Sequence, residues 1–395
     1  MSERSAASGT VHWIGTGLST GSGLRLVAEQ ADRVLVWGRS VAKAAACIQR
    51  LGLPDAASPH AFELAALQAE LRPGDVVVSM LPATEHLALV RLCIAGQAHF
   101  ACSSYVSAEI LAEVPAAEQA GVVLLTEAGL DPGLDHVLAH LLVEAARAEV
   151  GTDAQAVEFI SHCGGIPAVP NDFKYRFSWA PRGVLTALLS QARYIEHGEQ
   201  QLSERPWQAT RPQVFNGESF EVYPNRDSLP FIAQYDLPVG WQLDTFMRGT
   251  LRLDGWRDAW SAVFAELPTA GAERISELAT DLAGRYPTTE DDLDRVVLVV
   301  ALSARGADGR SWAGQYLLDL VGEHGESAMA RCVSVPLAFG IGEILTGRTS
   351  AGLHRAAETA AEAARWLAFC AEHGIAVQHT EPVLSDVSAS VSAAP

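Results

Sequence analysis

The stretch TEAGLDPGLDH, residues 126–136, places acids, a proline, glycines and a histidine close together. It follows the apolar run GVVLL and precedes apolar residues at helical spacing. Asp131 fits the N-cap of a helix whose first residue is Pro132, a position that tolerates a missing N–H. A second interpretation stays open, because Glu127 and Asp131 follow a predicted strand, where α/β folds bind ligands. Asp131 is therefore either a structural cap or a catalytic acid.

A glycine-rich loop follows the first predicted strand in VHWIGTGLSTGSG, residues 11–23. Gly15 would allow a tight turn, Gly17 the approach of a pyrophosphate to the backbone, and Gly21 close packing of the next helix. Leu18 lies between Gly17 and Gly21, and we expect it to contact the cofactor. Because strand, loop and helix occur in the required order, the stretch predicts a dinucleotide site.

The second predicted strand, VLVWGRS, indicates which dinucleotide is bound. It ends in Arg39 and Ser40, where NAD enzymes carry an Asp or Glu for the ribose 2′-hydroxyl. An arginine and a serine would instead bind a 2′-phosphate, which predicts NADP. The alternative is that Arg39 is an ordinary exposed surface residue.

Two more predicted strands end in VSMLPATEH and ACSSYVS. The carboxyl ends of parallel strands meet at one edge of a sheet, so residues from both ends should approach the cofactor. Those expected along the cofactor are Ser79, Met80, Leu81 and Pro82, and those expected near the nicotinamide are Ser103, Ser104 and Tyr105. Each could equally be an ordinary loop residue.

The order of the predicted elements indicates an α/β fold with two domains. Strands and helices alternate up to residue 126, which predicts a Rossmann-type, doubly wound parallel sheet in residues 1–131. Residues 132–330 contain more turn signals and fewer crossover helices, which predicts an α+β substrate domain with a mixed sheet. We expect helices from about residue 331 to 375 to pack back on the first domain, and residues 376–395 to be a disordered tail.

The composition excludes several classes of partner. The 395 residues carry 28 Lys plus Arg and 47 Asp plus Glu, a formal net charge of −19, which argues against nucleic acids and membranes. The six cysteines form no CxxC pair, so neither a metal site nor a disulfide framework is expected. The N-terminus lacks the apolar core of a signal peptide, and no apolar run approaches the ~20 residues that span a bilayer. A reduced, cytoplasmic enzyme is expected.

Six motifs together resemble one known family. ACSSYVSAE, TEAGLDPGLDH, HCGGIPA, YRFSWAPRGVL, VYPNRDSLP and MRGTLRLDG follow, in this order, the pattern of saccharopine reductase, the NADP-dependent, glutamate-forming saccharopine dehydrogenase. The resemblance covers roughly residues 10–260 and is fainter through VSVPLAFGIGEILTG.

The resemblance implies a two-domain enzyme that binds its substrate between the domains. Such enzymes use NADPH to reduce the imine of glutamate and 2-aminoadipate 6-semialdehyde to saccharopine. Carried over to this chain, the motifs imply substrate contacts from Ser104, Tyr105, Asp131, Arg226, Thr250, Leu251 and Arg252. They also imply Cys163 in the same cleft, and cofactor contacts that include Leu130, Asp131 and Ser178. A homodimer is the expected assembly.

The chain departs from the family pattern in the loop before Ser178. Where the family reads roughly NPxGYKFSW, this chain reads NDFKYRFSW, so Asp172 and Lys174 replace a proline and a glycine. The segment after residue 260 is also shorter than expected. These departures alter the loop that is expected to line the cleft near Ser178 and leave the cofactor chemistry in place.

The chemistry of saccharopine explains why arginines matter. Its three carboxylates need several cations, and the guanidinium fork pairs with carboxylates in a bidentate manner. Arg226 and Arg252 are the candidates, to which Arg182 and Arg248 could add, and the alternative is that they are exposed arginines at strand edges.

Proton transfer at the reacting nitrogen and carbon needs an acid–base group. Asp131 is the first candidate, although a helix N-terminus would make it a poor proton donor. Tyr105 and Cys163 come next, while His136 and His162 are weaker candidates because such histidines are commonly core residues.

Two other functions are compatible with the sequence. Carboxynorspermidine dehydrogenase and related enzymes share much of the pattern and reduce an imine built on a diamine, for which extra acids rather than arginines are expected. The other is a non-catalytic NADP-binding protein, against which Tyr105, Asp131, Cys163 and Arg226 argue.

Overall fold

The computed structural model describes residues 4–287, 289 and 291–380. The chain divides into two compact units. The first unit comprises the described residues up to Val137 together with Ala330–Gly374, and the second comprises Leu138–Met329 and the residues from Ile375 onward. The first boundary expected from the sequence, after residue 131, lies six residues before the limit at Val137, and the second, after residue 330, lies one residue beyond Met329.

The elements up to residue 150 alternate between strands and helices. The strands are β1 (Thr10–Ile14), β2 (Arg33–Gly38), β3 (Ala57–Ala61), β4 (Val76–Ser79), β5 (His99–Cys102) and β6 (Val123–Leu125). The helices are α1 (Gly23–Gln30), α2 (Val41–Arg50), α3 (Leu64–Glu70), α4 (His86–Gly96), α5 (Ala108–Ala120) and α6 (Leu134–Val150).

The remaining elements follow in chain order. The strands are β7 (Asp153–Pro167), β8 (Ala192–Glu196), β9 (Glu199–Ser203), β10 (Arg211–Phe215), β11 (Glu218–Pro224), β12 (Gly240–Leu253), β13 (Asp294–Gly306), β14 (Ser311–Val321), β15 (Gly352–His354) and β16 (Gln378–Thr380). The helices are α7 (Pro181–Ala187), α8 (Pro230–Gln234), α9 (Trp256–Ala259), α10 (Ser261–Glu266), α11 (Ala272–Arg285), α12 (Ala328–Leu345) and α13 (Ala360–Glu372).

The first unit contains a seven-stranded sheet in the order β15-β6-β5-β4-β1-β2-β3. All neighbouring strands in it are parallel. Its central strands are Val-rich and buried on both faces, as the crossover helices of a parallel sheet require. The strand order reverses at β1 and β4, the position at which doubly wound sheets open a ligand crevice at their carboxyl edge. The predicted fold class is confirmed for this unit.

The second unit contains a nine-stranded mixed sheet, also as predicted. Strands β7 and β12 pair in parallel, whereas β11 with β12 and β13 with β7 and β14 pair antiparallel. One face of this sheet packs on an apolar cluster that includes Phe220, Val222 and Leu251. Tyr223 packs instead in a cluster of aromatic and helical residues that includes Tyr175 and Trp256. Because side chains alternate along a strand, neighbouring residues of β11 and β12 belong to opposite faces.

The predicted helix start at Pro132 is wrong. Gly133 has φ +146°, which no helical residue adopts, and α6 begins at Leu134. The amide of Gly133 donates to Asp135 Oδ1 at 2.7 Å, so Asp135 satisfies this amide at the helix start. Asp131 is therefore not the N-cap, and the Asp131–Pro132 peptide bond is cis.

The C-terminal part differs from the sequence-based expectation in two ways. Helix α12 is long and apolar enough to cross a membrane, but 72% of its 18 residues are buried within the protein, as in a core helix. Gln378–Thr380 form a strand that pairs with β14, so the expectation of disorder from residue 376 is wrong there. Residues 381–395 of the expected tail lie outside the described residues.

Candidate functional site

The glycine-rich loop lies at the carboxyl edge of the parallel sheet. Gly15 has φ +113°, and a Cβ there would lie 2.9 Å from Met80 Cβ at the end of β4. Only glycine fits both restrictions. A Cβ on Gly17 would meet no atom within 4 Å, so the backbone there faces open space, and Leu18 is 48% exposed beside it. The loop has room for a ligand at Gly17.

Close packing of α1 also requires a glycine at position 23. A Cβ on Gly23 would lie 1.9 Å from the backbone oxygen of Ser334 in α12, and its amide donates to Ser334 Oγ at 3.0 Å. Gly21 is buried just before α1, and its carbonyl accepts a hydrogen bond from Leu24. The sequence pattern located the right loop and did not predict the close packing of Gly23.

Arg39 and Ser40 follow β2 at the same edge, and both are exposed. The Arg39 side chain makes no hydrogen bond or ion pair with another described residue. Ser40 is the N-cap of α2, where its Oγ accepts from the Lys43 amide at 3.3 Å. The guanidinium is thus available to an anion at a helix N-terminus, which is where a 2′-phosphate would be held in an NADP site.

The residues after β4 and β5 occupy the same edge of the sheet. Ser79 is buried at the end of β4, Met80 and Leu81 are half-buried, and Pro82 is exposed. Ser103, Ser104 and Tyr105 follow β5 and are half-buried. The segment after β6 is adjacent, since a Cβ on Gly129 would lie 2.7 Å from Ser103 Cβ.

Tyr105 and Asp131 come from these neighbouring segments and meet directly. The phenolic hydroxyl of Tyr105 donates to Asp131 Oδ1 at 2.6 Å, a short charge-assisted hydrogen bond. Both residues are half-buried, whereas Leu130 beside them is 4% exposed. Asp131 therefore does not cap the helix but holds a tyrosine hydroxyl at the edge where the cofactor is expected.

Two other polar residues of the same stretch are buried rather than facing this edge. Glu127 and His136 form an ion pair with 3.0 Å between Oε2 and Nε2. Sequence reasoning considered each residue separately and did not predict that they pair. The signal for the pair was their position on either side of a short loop.

The second unit brings four predicted residues to one face of its sheet. Thr250 pairs in register with Cys163, so both side chains lie on the same face, and Arg252 follows two residues along β12 on that face too. Gly165 continues the face on β7, and a Cβ there would lie 2.7 Å from Ser178 Oγ. Ser178 is 4% exposed, and its Oγ has no hydrogen-bond partner among the described residues.

Arg252 occupies a box of aromatic rings. Its guanidinium carbon lies 4.9, 5.7 and 5.6 Å from the ring centroids of Tyr175, Tyr223 and Trp256. The residue is only 5% exposed, and one Nη donates to the Leu251 carbonyl at 3.0 Å. Within the described part of the chain, its Nε has no hydrogen-bond partner and no carboxylate forms an ion pair with it. A buried cation without an anion is unfavourable, and the box is therefore suited to a carboxylate ligand.

The other arginines differ in their surroundings. Arg248 is buried on the same face of β12, with its guanidinium 3.9 Å from the Phe231 ring. Arg226 is exposed after β11, with φ +54°, and the amide of Asn225 donates to the Arg248 carbonyl. Arg182 is exposed on α7. The interpretation of exposed strand-edge arginines is wrong for Arg248 and Arg252, which lie on a central strand.

Two candidates point away from this face. Leu251 is a predicted substrate contact, but its side chain is fully buried in the apolar cluster on the opposite face. His162 alternates with Cys163 and lies against Phe215 and Gly249. Burial lowers the pKa of His162 to about 3, with a smaller contribution from Arg211, so the ring is a neutral core group.

The two departures from the family pattern lie near the aromatic box. Lys174 has φ +56°, a backbone conformation that favours the glycine found in the family pattern. Its Cε would lie 3.6 Å from a Cβ placed on Gly255, next to Trp256 of the box. Asp172 is exposed, and Tyr286 donates to its Oδ2 at 3.4 Å. Neither substitution removes a residue of the candidate site.

Two family models match the chain. Residues 11–125 match the saccharopine dehydrogenase NADP binding domain, and residues 129–375 match the saccharopine dehydrogenase C-terminal domain. The second match alone covers more than half of the chain. These matches confirm the resemblance carried by the six motifs and the assignment of the glycine-rich loop to an NADP-binding domain.

Curated relatives include the NADP(+), L-glutamate-forming saccharopine dehydrogenase of Pyricularia oryzae, 33% identical over 256 residues, which are 63% of this chain and 56% of that protein. The enzyme of the same name from Saccharomyces cerevisiae is 35% identical over 237 residues, 58% of this chain and 52% of that protein. The mitochondrial alpha-aminoadipic semialdehyde synthase of Bos taurus is 31% identical over 295 residues, 68% of this chain and 31% of that protein. The chain spans about half the length of the fungal relatives it matches.

Solved structures share the fold. The apo saccharopine dehydrogenase (L-Glu forming) from Saccharomyces cerevisiae superposes with a TM-score of 0.79 at 24% identity, covering 95% of this chain and 100% of that one. A homospermidine synthase from Legionella pneumophila in complex with NAD gives a TM-score of 0.63 at 14% identity, covering 97% and 92% of the two chains. These likenesses concern the fold alone.

Proposed function

Since this chain belongs to the saccharopine dehydrogenase family, we propose that it is an NADP-dependent oxidoreductase acting on a C–N bond. The proposed reaction is the reduction of the imine of L-glutamate and 2-aminoadipate 6-semialdehyde to saccharopine, or the reverse oxidation. The curated relatives with this activity in their names support the proposal.

The first unit has the features that NADP(H) requires. The open space at Gly17 and the positive φ of Gly15 fit a pyrophosphate on the loop, and Arg39 beside Ser40 fits a 2′-phosphate. The remaining contacts proposed from this unit are Leu18, Gly21, Leu81, Pro82, Ser103, Ser104, Leu130 and Asp131, and Ser178 is proposed from the second unit. The cofactor, when bound, supplies the hydride, and the protein supplies orientation and proton transfer.

The Tyr105–Asp131 pair is assigned to the proton. Reduction of an imine adds a hydride to carbon and a proton to nitrogen, so a proton donor must lie near the nitrogen. The Tyr105 hydroxyl donates a hydrogen bond to Asp131 Oδ1 at 2.6 Å, and this bond fixes the orientation of the hydroxyl. In the proposed step the hydroxyl turns from Asp131 to the nitrogen and gives up its proton, Asp131 takes a proton from solvent, and transfer of that proton to the phenolate restores the starting pair. Cys163, on the substrate-binding face of the second unit, is assigned a contact near the reacting atoms.

The proposed substrate class, a compound with carboxylates, depends on one observation, the environment of Arg252. Its guanidinium is buried among three aromatic rings and has no carboxylate partner among the described residues. A substrate carboxylate would supply the missing anion and would bind strongly in this low-dielectric box. Arg226, Arg248 and Thr250 extend the site for a substrate with several carboxylates.

The proposal is tested by following NADPH oxidation at 340 nm with L-glutamate plus 2-aminoadipate 6-semialdehyde. We expect turnover with this pair and little with aspartate semialdehyde plus a diamine. The opposite preference would identify a carboxynorspermidine dehydrogenase-like enzyme. If NADPH binds but neither pair reacts in either direction, the chain is a non-catalytic NADP-binding protein.

The cellular setting is also proposed. A cytoplasmic location is supported by six cysteines that are all buried thiols, as expected in a reducing compartment. The net charge of −19 supports a small-molecule partner over nucleic acids and membranes. We propose a homodimer, which light scattering during gel filtration would distinguish from a monomer.

A further inference from the structure

The loop that carries Asp131 is closed at its base by a buried ion pair. Glu127 precedes the loop, and His136 follows it in the first turn of α6. Glu127 Oε2 lies 3.0 Å from His136 Nε2, and the two side chains are 3% and 0% exposed. This pair therefore fixes the two ends of the Asp131 loop relative to each other.

The same glutamate also holds the segment that carries Tyr105. The backbone amide of Glu127 donates to the Ser104 carbonyl at 3.0 Å. The Val106 amide donates to Glu127 Oε1 at 3.1 Å. Tyr105 lies between these two attachment points, so Glu127 connects both members of the Tyr105–Asp131 pair.

Glu127 and His136 each contact a further charged residue of the first unit. Arg355, in the segment after β15, places its Nε 3.3 Å from Glu127 Oε2, which is an ion pair without a hydrogen bond from that nitrogen. On the other side of the imidazole, His136 Nδ1 lies 3.3 Å from Asp135 Oδ2. A ring with a carboxylate at each nitrogen donates on both sides only when it is doubly protonated. Asp135 and Glu127 raise the pKa of His136 in spite of the opposing effect of its burial.

A contribution to stability does not by itself explain why four charged groups are clustered here. The four are Glu127, Asp135, His136 and Arg355. Burying charges is costly, and apolar residues of similar volume are often at least as stable in such positions. Charged groups do fix direction, because each hydrogen bond and ion pair constrains an orientation. Here the constrained segments are the two that present Tyr105 and Asp131.

We propose that Glu127, His136 and Arg355 are positioning residues that hold the Tyr105 hydroxyl in hydrogen-bonding distance of Asp131. The inference rests on the proposed function, in which this pair handles the proton of imine reduction. Arg355 is 23% exposed, whereas Glu127 and His136 are 3% and 0% exposed, so a change at Arg355 disturbs the core least. It therefore offers the most informative variant.

The kinetic test compares Arg355→Gln, Arg355→Lys and the control Arg348→Gln, which removes an exposed arginine paired with Glu343 in the same C-terminal segment. Arg355→Gln should lower kcat about tenfold through misplacement of the pair, with the KM for glutamate and the Kd for NADPH unchanged within about twofold. Arg355→Lys should recover most of the rate, and Arg348→Gln should match the wild type. In a Tyr105→Phe background, Arg355→Gln should lower kcat little further, because both changes act through the same Tyr105–Asp131 pair. Equal losses in both backgrounds would overturn the proposal.

A second measurement needs no turnover and so separates this inference from the proposed function. With 3-fluorotyrosine incorporated, the ¹⁹F resonance of Tyr105 is identified by its loss in Tyr105→Phe. That resonance should move in Asp131→Asn, in Arg355→Gln and in the neutral double variant Glu127→Gln/His136→Gln, but not in Arg348→Gln. A Tyr105 resonance that moves in Asp131→Asn and stays unchanged in both cluster variants would contradict the positioning role, whether or not the wild type reduces the imine.

Discussion

Tyr105 Oη lies 2.6 Å from Asp131 Oδ1, and the two residues come from the ends of adjacent parallel strands. Their contact gives the acid that follows β6 a role other than capping α6. The irregular segment after β6 directs Asp131 toward Tyr105 instead of toward the start of α6.

The first prediction concerns this pair. Tyr105→Phe removes the hydroxyl that would protonate the imine nitrogen, so kcat should fall by about 10²-fold or more. NADPH affinity, measured by fluorescence titration, should change little. Tyr316→Phe removes the same atom from a tyrosine of β14 and should leave kcat unchanged. A Tyr105→Phe enzyme with nearly wild-type kcat would exclude the phenol from proton transfer.

The second prediction concerns the choice of cofactor. Arg39→Asp should move the ratio of kcat/KM values from NADPH toward NADH, because the guanidinium available to a 2′-phosphate is replaced by an acceptor for a 2′-hydroxyl. Arg33→Asp makes the same charge change at the amino end of β2 and serves as the control. If both variants keep the NADPH preference, Arg39 is only a surface residue.

The third prediction concerns the substrate carboxylates. Arg226→Ala should raise the KM for the amino-acid substrate roughly 10- to 100-fold, the loss expected for a hydrogen bond to a charged group. The Kd for NADPH should stay the same. Arg305→Ala, at an exposed position of β13, is the matched control. A parallel loss of NADPH and amino-acid binding in Arg226→Ala would indicate a structural role.

The fourth prediction concerns pH. Burial is the main cause that lowers the pKa of His86 and His99 to about 4 and of His162 to about 3. The stability due to these neutral rings is present in full above about pH 6.5 and is lost as the pH falls toward the folded values. Each ring should reduce the free energy of unfolding by roughly 1.4 kcal/mol per pH unit in that range.

His136 has the opposite sign. Its folded pKa is raised, so its contribution is present in full below about pH 6.5 and is lost as the pH rises through the folded value. NMR of ¹⁵N-labelled imidazoles, assigned with His136→Gln and His162→Leu, should show a charged His136 at neutral pH and a neutral His162 at pH 5. A neutral His136 at pH 6 would contradict its ion pair with Glu127.

The sequence predicted the features that depend on local pattern. Val-rich runs separated by helical spacing located five strands of the parallel sheet, and their order placed Gly15, Ser104 and Asp131 at one edge. The strand β3 was missed because ASPHA is polar and contains a proline, which an edge strand tolerates. Strand β15 was missed because three residues carry no recognisable period.

Features that depend on packing could not be predicted. Leu251 belongs to the substrate motif, but strand alternation turns its side chain into the opposite core. The packing role of Gly23 depends on Ser334, which is more than three hundred residues away. The aromatic box around Arg252 likewise assembles Tyr175, Tyr223 and Trp256 from separate segments.

The central claim is that this chain transfers a hydride from NADPH to an imine carbon and a proton to its nitrogen. Its most direct test is mass spectrometry of the product formed from L-glutamate, 2-aminoadipate 6-semialdehyde and NADPH deuterated at C4 of the nicotinamide. We expect saccharopine with one deuterium on the former aldehyde carbon of the semialdehyde, which is then bonded to the glutamate nitrogen. The label should be transferred from only one of the two C4 epimers of the deuterated cofactor. Saccharopine free of deuterium with both epimers, or no saccharopine from an enzyme that binds NADPH, would contradict the claim.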